Sequence, residues 1–230
     1  MKTLEVNPFK IIVEGKNDKV FIESLIGKNG VVNSLVEQIN GIDDFEYSEK
    51  IEEKLKGFKI QVAKGLRKIG IIIDQDAKEN NRIVFLNKMI QKVFGNEYGL
   101  TREQESIEIN VGEHKVELSC LIMSINGEGE LSSMLRAIKA KTKSSIFADC
   151  LQKWWDCADA EKKIINKIEF DKNWYHFYIK WDNSSNQDRQ QAGKYCSLEY
   201  SLTHKKDIWD FDSKVPEFIS LQSYLKSFNS

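Results

Sequence analysis

The run Lys68-Ile69-Gly70-Ile71-Ile72-Ile73-Asp74-Gln75-Asp76 limits what this chain can fold into more than any other segment. It is the most strand-like stretch in the sequence. Its apolar residues are consecutive rather than alternating, as in a strand covered on both faces, and it stops on two acids. A helical segment follows, containing Ile83, Phe85, Leu86, Met89, Ile90 and Val93. An earlier segment has the same outline: Phe9-Lys10-Ile11-Ile12-Val13 ends on Glu14 and Gly15, after which Phe21, Ile22, Leu25 and Ile26 recur at helical spacing. Strands alternating with helices in this way predict right-handed crossovers and a mostly parallel sheet.

The elements between and beyond these two units fit the same class. Asn33 to Ile39 reads as a short strand punctuated by Asn40-Gly41, and Ile42 to about Lys64 as a solvated helix. Gly95 to Arg102 is a polar connection. Ile107–Val111 and Lys115–Ile125 read as strands of a hairpin turned by Gly112-Glu113-His114, and Leu131 to about Lys141 as a helix. Beyond residue 143 the character changes: Trp154, Trp155, Trp174, Trp181 and Trp209 all lie there, with Tyr175, Phe177 and Tyr178. Amphipathic helices packed on the sheet account for most of these aromatics, and Asp182 to Asp188 reads as an exposed loop. The expected organisation is an α/β core over residues 1–143 and an aromatic-rich helical extension over residues 144–230.

Composition narrows the function classes. Lys and Arg number 34 against 35 Asp and Glu, so the strongly basic footprint of a protein that lives on bulk duplex is missing, and nucleic-acid contact is expected to be local or assisted by a partner. No apolar run approaches a membrane span, and Met1 to Glu5 lacks a signal-peptide core, which predicts a cytoplasmic protein with no membrane partner. Cys120, Cys150, Cys157 and Cys196 form no CxxC pair, and His114, His176 and His204 show no zinc-ligand spacing. The four cysteines are expected as buried free thiols.

The acids at the strand ends carry the chemistry. Ligands of open α/β sheets gather outside the carboxyl ends of the strands, where Glu14, Asp74 and Asp76 fall. Asp74 and Asp76 are two apart, so in a continuing strand they point the same way, and Glu14 reaches them if the two strands are neighbours. Carboxylates brought together repel one another unless a cation neutralises them. A hard divalent ion does so through oxygen ligands and keeps positions for water and phosphate oxygens, which suits phosphodiester chemistry. Exposed loops also supply acids at strand ends for no such purpose, and only the ordered set distinguishes the two readings.

That ordered set resembles a known family. Val13-Glu14-Gly15-Lys16-Asn17-Asp18 is similar to the first Toprim motif and Ile72-Ile73-Asp74-Gln75-Asp76-Ala77 to the second. The resemblance covers roughly residues 9–140. It extends to the small stand-alone bacterial Toprim-like proteins related to OLD-type nucleases, several of which act in phage defence beside an ATPase partner. It implies a Toprim or Rossmann-like sheet, a Mg²⁺ or Mn²⁺ cofactor, and a nuclease acting on DNA or RNA in a defence or repair complex. In that picture Glu14 is the catalytic acid/base or a metal ligand, Asp74 and Asp76 hold the ion, and Gly15 permits the tight turn beneath the phosphate. OLD-type relatives carry a further acid in a Gly-x-Leu-Glu pattern. Here Gly129-Glu130-Leu131-Ser132 puts Ser132 at that place, leaving Glu130 or Glu128 as substitutes.

Other signals have everyday alternatives. Lys16 is placed to reach a substrate phosphate, or is simply solvated at the start of its helix. Asp18 orients the site or favours the positive end of that helix. Arg136, Lys139, Lys141 and Lys143 form a basic tract that could seat a phosphate backbone or be a solvated face. The rival to an enzyme is a non-catalytic Toprim-fold module, the sensor or regulated binding subunit of an ATPase complex, with homo-oligomerisation open in either case.

Overall fold

The computed structural model describes residues 7–29, 34–39, 44–77, 81–160 and 166–229. The Asn40-Gly41 turn, Asn33, Ile42 and the Met1 to Glu5 segment lie outside the described residues. Five strands, β1 (Phe9–Val13), β2 (Ser34–Gln38), β3 (Lys68–Asp74), β4 (Ile107–Val111) and β5 (His114–Met123), form one sheet in the order β2-β1-β3-β5-β4. β1 runs parallel to β2 and β3, with Val13 opposite Gln38 and Ile72. β4 and β5 are antiparallel, and Val111 pairs with His114. The hairpin turn is therefore Gly112-Glu113, one residue shorter than expected, and Gly112 takes the positive φ of 62° that a two-residue turn requires of its first residue.

Helices α1 (Lys16–Asn29) and α2 (Asp44–Val62) follow β1 and β2, and α3 (Arg82–Phe94) follows β3. One face of the sheet buries Ile12, Ile69, Ile71 and Ile73 against Tyr47, Ile51, Leu55, Phe58 and Val62 of α2 and Leu86, Met89, Ile90 and Val93 of α3. The helical residues recur every three or four positions, as one apolar stripe demands. Asn81 caps α3, its side chain accepting the Val84 N–H at 3.0 Å. This α/β architecture, a mostly parallel sheet flanked by helices with a helical C-terminal region, is the one expected from sequence.

The chain divides into two compact units: Met1–Asp74, Glu79–Ile122 and Leu221–Ser230 make the first, and Gln75–Lys78 with Met123–Ser220 the second. The expected boundary after residue 143 lies inside the second unit, and the chain's end belongs to the first. Gly70 explains the return: its bare Cα leaves room on β3 that Phe228 and Tyr224 occupy, and Tyr224 Oη lies 3.1 Å from the Ser119 carbonyl to which it donates.

The second unit is helical: α4 (Leu131–Ala137), α5 (Ile146–Ala160), α6 (Lys167–Phe177), α7 (Asn186–Gln190), α8 (Ala192–Tyr195), α9 (Leu198–His204) and α10 (Pro216–Lys226), the last crossing into the first unit. A π-helical turn spans Tyr178–Asp182. α4 ends four residues before the expected Lys141, and α7 occupies part of the stretch expected as a loop. Trp174 stacks on Tyr178 with ring centroids 5.0 Å apart, and Trp209 packs on the same tyrosine. Trp154 and Trp181 are instead exposed. The cysteines also divide: Cys120 and Cys196 are buried, whereas Cys150 and Cys157 are exposed on α5, which corrects the expectation of four buried thiols. Among the described residues, no helix is long and apolar enough to cross a membrane.

Candidate functional site

Parallel pairing of β1 and β3 brings their carboxyl ends to one edge of the sheet. The ladder of β1 runs out at Val13, opposite Ile72. One residue on, the Glu14 side chain takes over as acceptor: the Asp74 backbone N–H donates to its Oε1 at 2.9 Å. Glu14 is half-buried and Asp74 buried. The backbone carbonyls of Val13 and Glu14 both accept the Ile39 N–H, at 3.0 and 3.2 Å, which fixes the turn out of β1.

Gly15 and Asp18 organise the start of α1. The Gly15 N–H donates to Asp18 Oδ2 at 2.8 Å, the half of a capping box in which the third helical residue reaches back to the cap. A Cβ on Gly15 would stand 3.2 Å from that same oxygen, so glycine leaves the carboxylate room to make the bond. Asp18 is buried, while Lys16 is exposed at the first helical position.

Tyr47, in the first turn of α2, completes this region, and the sequence reading passed over it. It stands in the apolar series Tyr47, Ile51, Leu55, Phe58, so it counts as core. The available signal was its hydroxyl, a polar tip that needs a partner wherever the ring is buried. Tyr47 is 9% exposed, and its hydroxyl oxygen has no partner within hydrogen-bonding geometry among the described residues. Burial first, then the negative charges of Glu14, Asp74 and Asp18, with Glu14 near enough to act also as a loose acceptor, hold the phenol far above its ordinary pKa. Three carboxylates thus act on one buried hydroxyl.

The remaining candidates belong to the second unit. Asp76 has a left-handed φ of 58°, locked by a reciprocal pair of bonds: its N–H donates to the Gly129 carbonyl at 3.0 Å and its carbonyl accepts from the Gly129 N–H at 2.8 Å. Asparagine and aspartate tolerate this region better than other side-chain-bearing residues. Gly129 itself has φ +97°, and a Cβ there would fall 2.4 Å from Ser133 Oγ, so the position admits only glycine. The expectation of Asp74 and Asp76 projecting alike from a continuing strand does not describe this backbone, since β3 ends at Asp74.

Glu130 accepts from Ser132 Oγ at 2.8 Å and pairs with Lys172 at 3.0 Å, and Glu128 pairs with Lys167 at 3.2 Å. The basic tract is likewise engaged within the unit. Arg136 binds Asp171 at 2.8 Å, Lys139 meets Ser145 and Asp149, and Lys143 pairs with Asp207. Its charges are spent largely on the protein's own carboxylates.

A model of the DUF3226 family, proteins of unknown function, matches residues 8–229. The chain belongs to DUF3226. The matched span takes in most of both units and every candidate residue named above, from Glu14 to Lys143. Neither a curated protein nor a solved structure matches this DUF3226 chain.

Among the described residues, no group of three His, Cys, Asp or Glu side chains is disposed to hold a metal ion. That is not an all-protein cage, but Mg²⁺ rarely uses one: it is bound through one or two carboxylates, keeps several waters and takes its remaining oxygens from substrate phosphates. Glu14 and Asp74, joined through the Asp74 N–H at 2.9 Å, are the two carboxylates that could serve such a site.

Proposed function

We propose that this chain is a Mg²⁺- or Mn²⁺-dependent nuclease of Toprim type that hydrolyses nucleic-acid phosphodiesters. The observation that carries the reading is the meeting of Glu14 with Asp74 at the carboxyl ends of neighbouring parallel strands, with Asp18 acting on the same buried phenol. Glu14 and Asp74 would hold the ion. When bound, a divalent ion supplies polarisation of a phosphoryl oxygen and acidification of a water.

The chain's own residues do the rest. Glu14, half-buried and oriented by the Asp74 N–H, accepts the proton of the attacking water. Gly15 keeps the turn beneath the phosphate free of a side chain. Lys16, exposed at the start of α1, supplies a cation to the phosphate backbone. A local site of this kind is compatible with a net charge of −1, because it needs a few contacts rather than a basic surface.

The test is incubation of purified protein with labelled single-stranded and duplex DNA and RNA, in Mg²⁺ or Mn²⁺, beside Glu14→Gln and Asp74→Asn. Cleavage by wild type, lost at least 100-fold in both variants, is the expected result. Absence of cleavage by every form, with an ATPase partner also supplied, would leave the non-catalytic binding module as the better account.

A further inference from the structure

Helix α5 carries more apolar surface than its packing within the second unit uses. Ala148, Leu151 and Trp155 make its inward side, with the Trp155 ring edge-on to Phe170 of α6 at 4.5 Å. Phe147, Cys150, Trp154 and Cys157 make a second stripe beside it, at the alternating spacing of three and four residues that marks a helix–helix seam. This stripe is open: Phe147 is 56% exposed and Trp154 44%, both cysteines are exposed, and Ile146 at its edge is 69% exposed. Asp149, Gln152, Lys153 and Asp156 take the rest of the circumference. With a whole aromatic side chain at about 150–250 Å², the stripe and Ile146 together present roughly 400 Å², the scale at which an apolar patch is often an interaction site.

We propose that this face of α5 is a homodimer interface, in which two copies of the helix pack antiparallel about a two-fold axis at Gln152. The arrangement of bulk along the stripe selects a second copy as the occupant. Phe147 and Cys157 lie five residues either side of Gln152, and Cys150 and Trp154 two residues either side. A two-fold axis there sets Phe147 against the partner's Cys157 and Trp154 against the partner's Cys150, with the reverse pairs by symmetry. Large meets small at every level, as close packing requires, and sulfur against an aromatic ring is itself a favourable contact. The area agrees as well. A standard interface buries about 800 Å² of each partner, so an apolar centre of roughly 400 Å² leaves the flanking charged residues to form its polar rim. The inference is independent of the cation site proposed above, which uses no residue of α5.

Sedimentation of the full chain under reducing conditions reads the assembly directly. Wild type is expected to sediment at twice its 26.6 kDa at micromolar concentration, with a Tm that rises with protein concentration. Phe147→Glu and Trp154→Glu are each expected to weaken the dimer roughly 100-fold or more, because each places two charges in its apolar centre. Ile60→Glu, at a position 67% exposed on α2 of the first unit, leaves it unaltered. Exchange of size tests the register and serves also if a glutamate variant fails to fold. Cys150→Trp sets ring against ring and Trp154→Cys sets thiol against thiol, so each alone weakens the dimer. The double variant restores a ring opposite a thiol and recovers affinity to within about tenfold of wild type. A monomer at every concentration overturns the proposal and leaves the face to a different partner. A dimer indifferent to both glutamates overturns it too, because the interface then lies elsewhere, and a double variant as weak as the singles overturns the axis at Gln152.

Discussion

Gly70→Ala tests how the chain's end is fastened to the sheet that presents Glu14 and Asp74. An added Cβ would lie 2.5 Å from Phe228 Cζ and 3.0 Å from Tyr224 Oη. Two carbons are comfortable at about 3.5–4.0 Å, so one partner must move by roughly 1 Å. Neither is free to do so. Phe228 is fully buried, and Tyr224 is tied through its hydroxyl to the Ser119 carbonyl and Oγ, each at 3.1 Å. Overpacking of this kind costs about 1–3 kcal/mol. Replacing a strand glycine returns about 0.5–1 kcal/mol of backbone entropy. The net loss reaches about 2 kcal/mol at its upper end, which lowers the Tm of a chain of this size by roughly 4–8 °C. Thermal melts of Gly70→Ala, Phe228→Leu and the double variant give both the cost and its origin. Relief of the glycine substitution by the smaller side chain at 228, a coupling of about 1 kcal/mol or more, is expected from contact. A Gly70→Ala protein as stable as wild type, or effects that simply add, would refute the reasoning.

Two further outcomes follow from ion pairs within single units. Glu37 accepts from Lys10 and Lys54, each at 2.6 Å; burial alone would raise its pKa, but the two lysines outweigh burial and hold it below the ordinary 4.5. Protonation is therefore harder in the folded chain than in the unfolded one. The stabilisation is complete above about pH 4.5 and is lost as pH falls through the lower folded value. Glu37→Gln is expected to cost about 1 kcal/mol at neutral pH and to flatten the acid limb of a plot of Tm against pH; an unchanged acid limb would contradict this. In the second unit, Asp171 accepts from Ser133 at 2.6 Å and from Arg136 at 2.8 Å, with its side chain 2% exposed. Asp171→Asn is expected to lose about 2 kcal/mol in urea unfolding, and a loss below about 0.5 kcal/mol would argue that Arg136 is held mainly by the ring faces of Phe170 and Trp174, over which its guanidinium lies at 4.6 and 5.8 Å.

Much of the fold was legible because the first unit obeys local rules. β1 and β3 are consecutive apolar runs, α2 and α3 carry one apolar stripe each, and a parallel sheet follows from their alternation. The division of the chain was not legible, because it depends on Phe228 finding the gap above Gly70, a contact 158 positions distant in sequence. The basic tract was ambiguous for a related reason. Sequence displays the charge of Arg136 but not its partner Asp171, which a separate helix delivers. Asp76 shows the same limit at the level of one torsion angle. Period-two alternation assumes that the strand continues, and the pairing with Gly129 turns the backbone left-handed instead.

The meeting of Glu14 and Asp74 was legible because it needs only parallel register, and that same geometry gives Glu14 two duties. Its Oε1 stands in for the ladder carbonyl that β1 no longer supplies, so the side chain terminates the sheet as well as offering a carboxylate. The duties part company under substitution. Glutamine keeps a carbonyl oxygen for the Asp74 N–H and loses only the charge and the basicity, whereas alanine leaves that N–H without its acceptor. Glu14→Gln is for this reason the informative variant: it preserves the strand end that carries Asp74 and changes the chemistry alone. Loss of activity in Glu14→Ala would mix an unpaired backbone donor, costing about 1–3 kcal/mol of local order, with the missing base. The claim that Glu14 handles a proton, and is more than the sheet's last acceptor, stands on the glutamine variant.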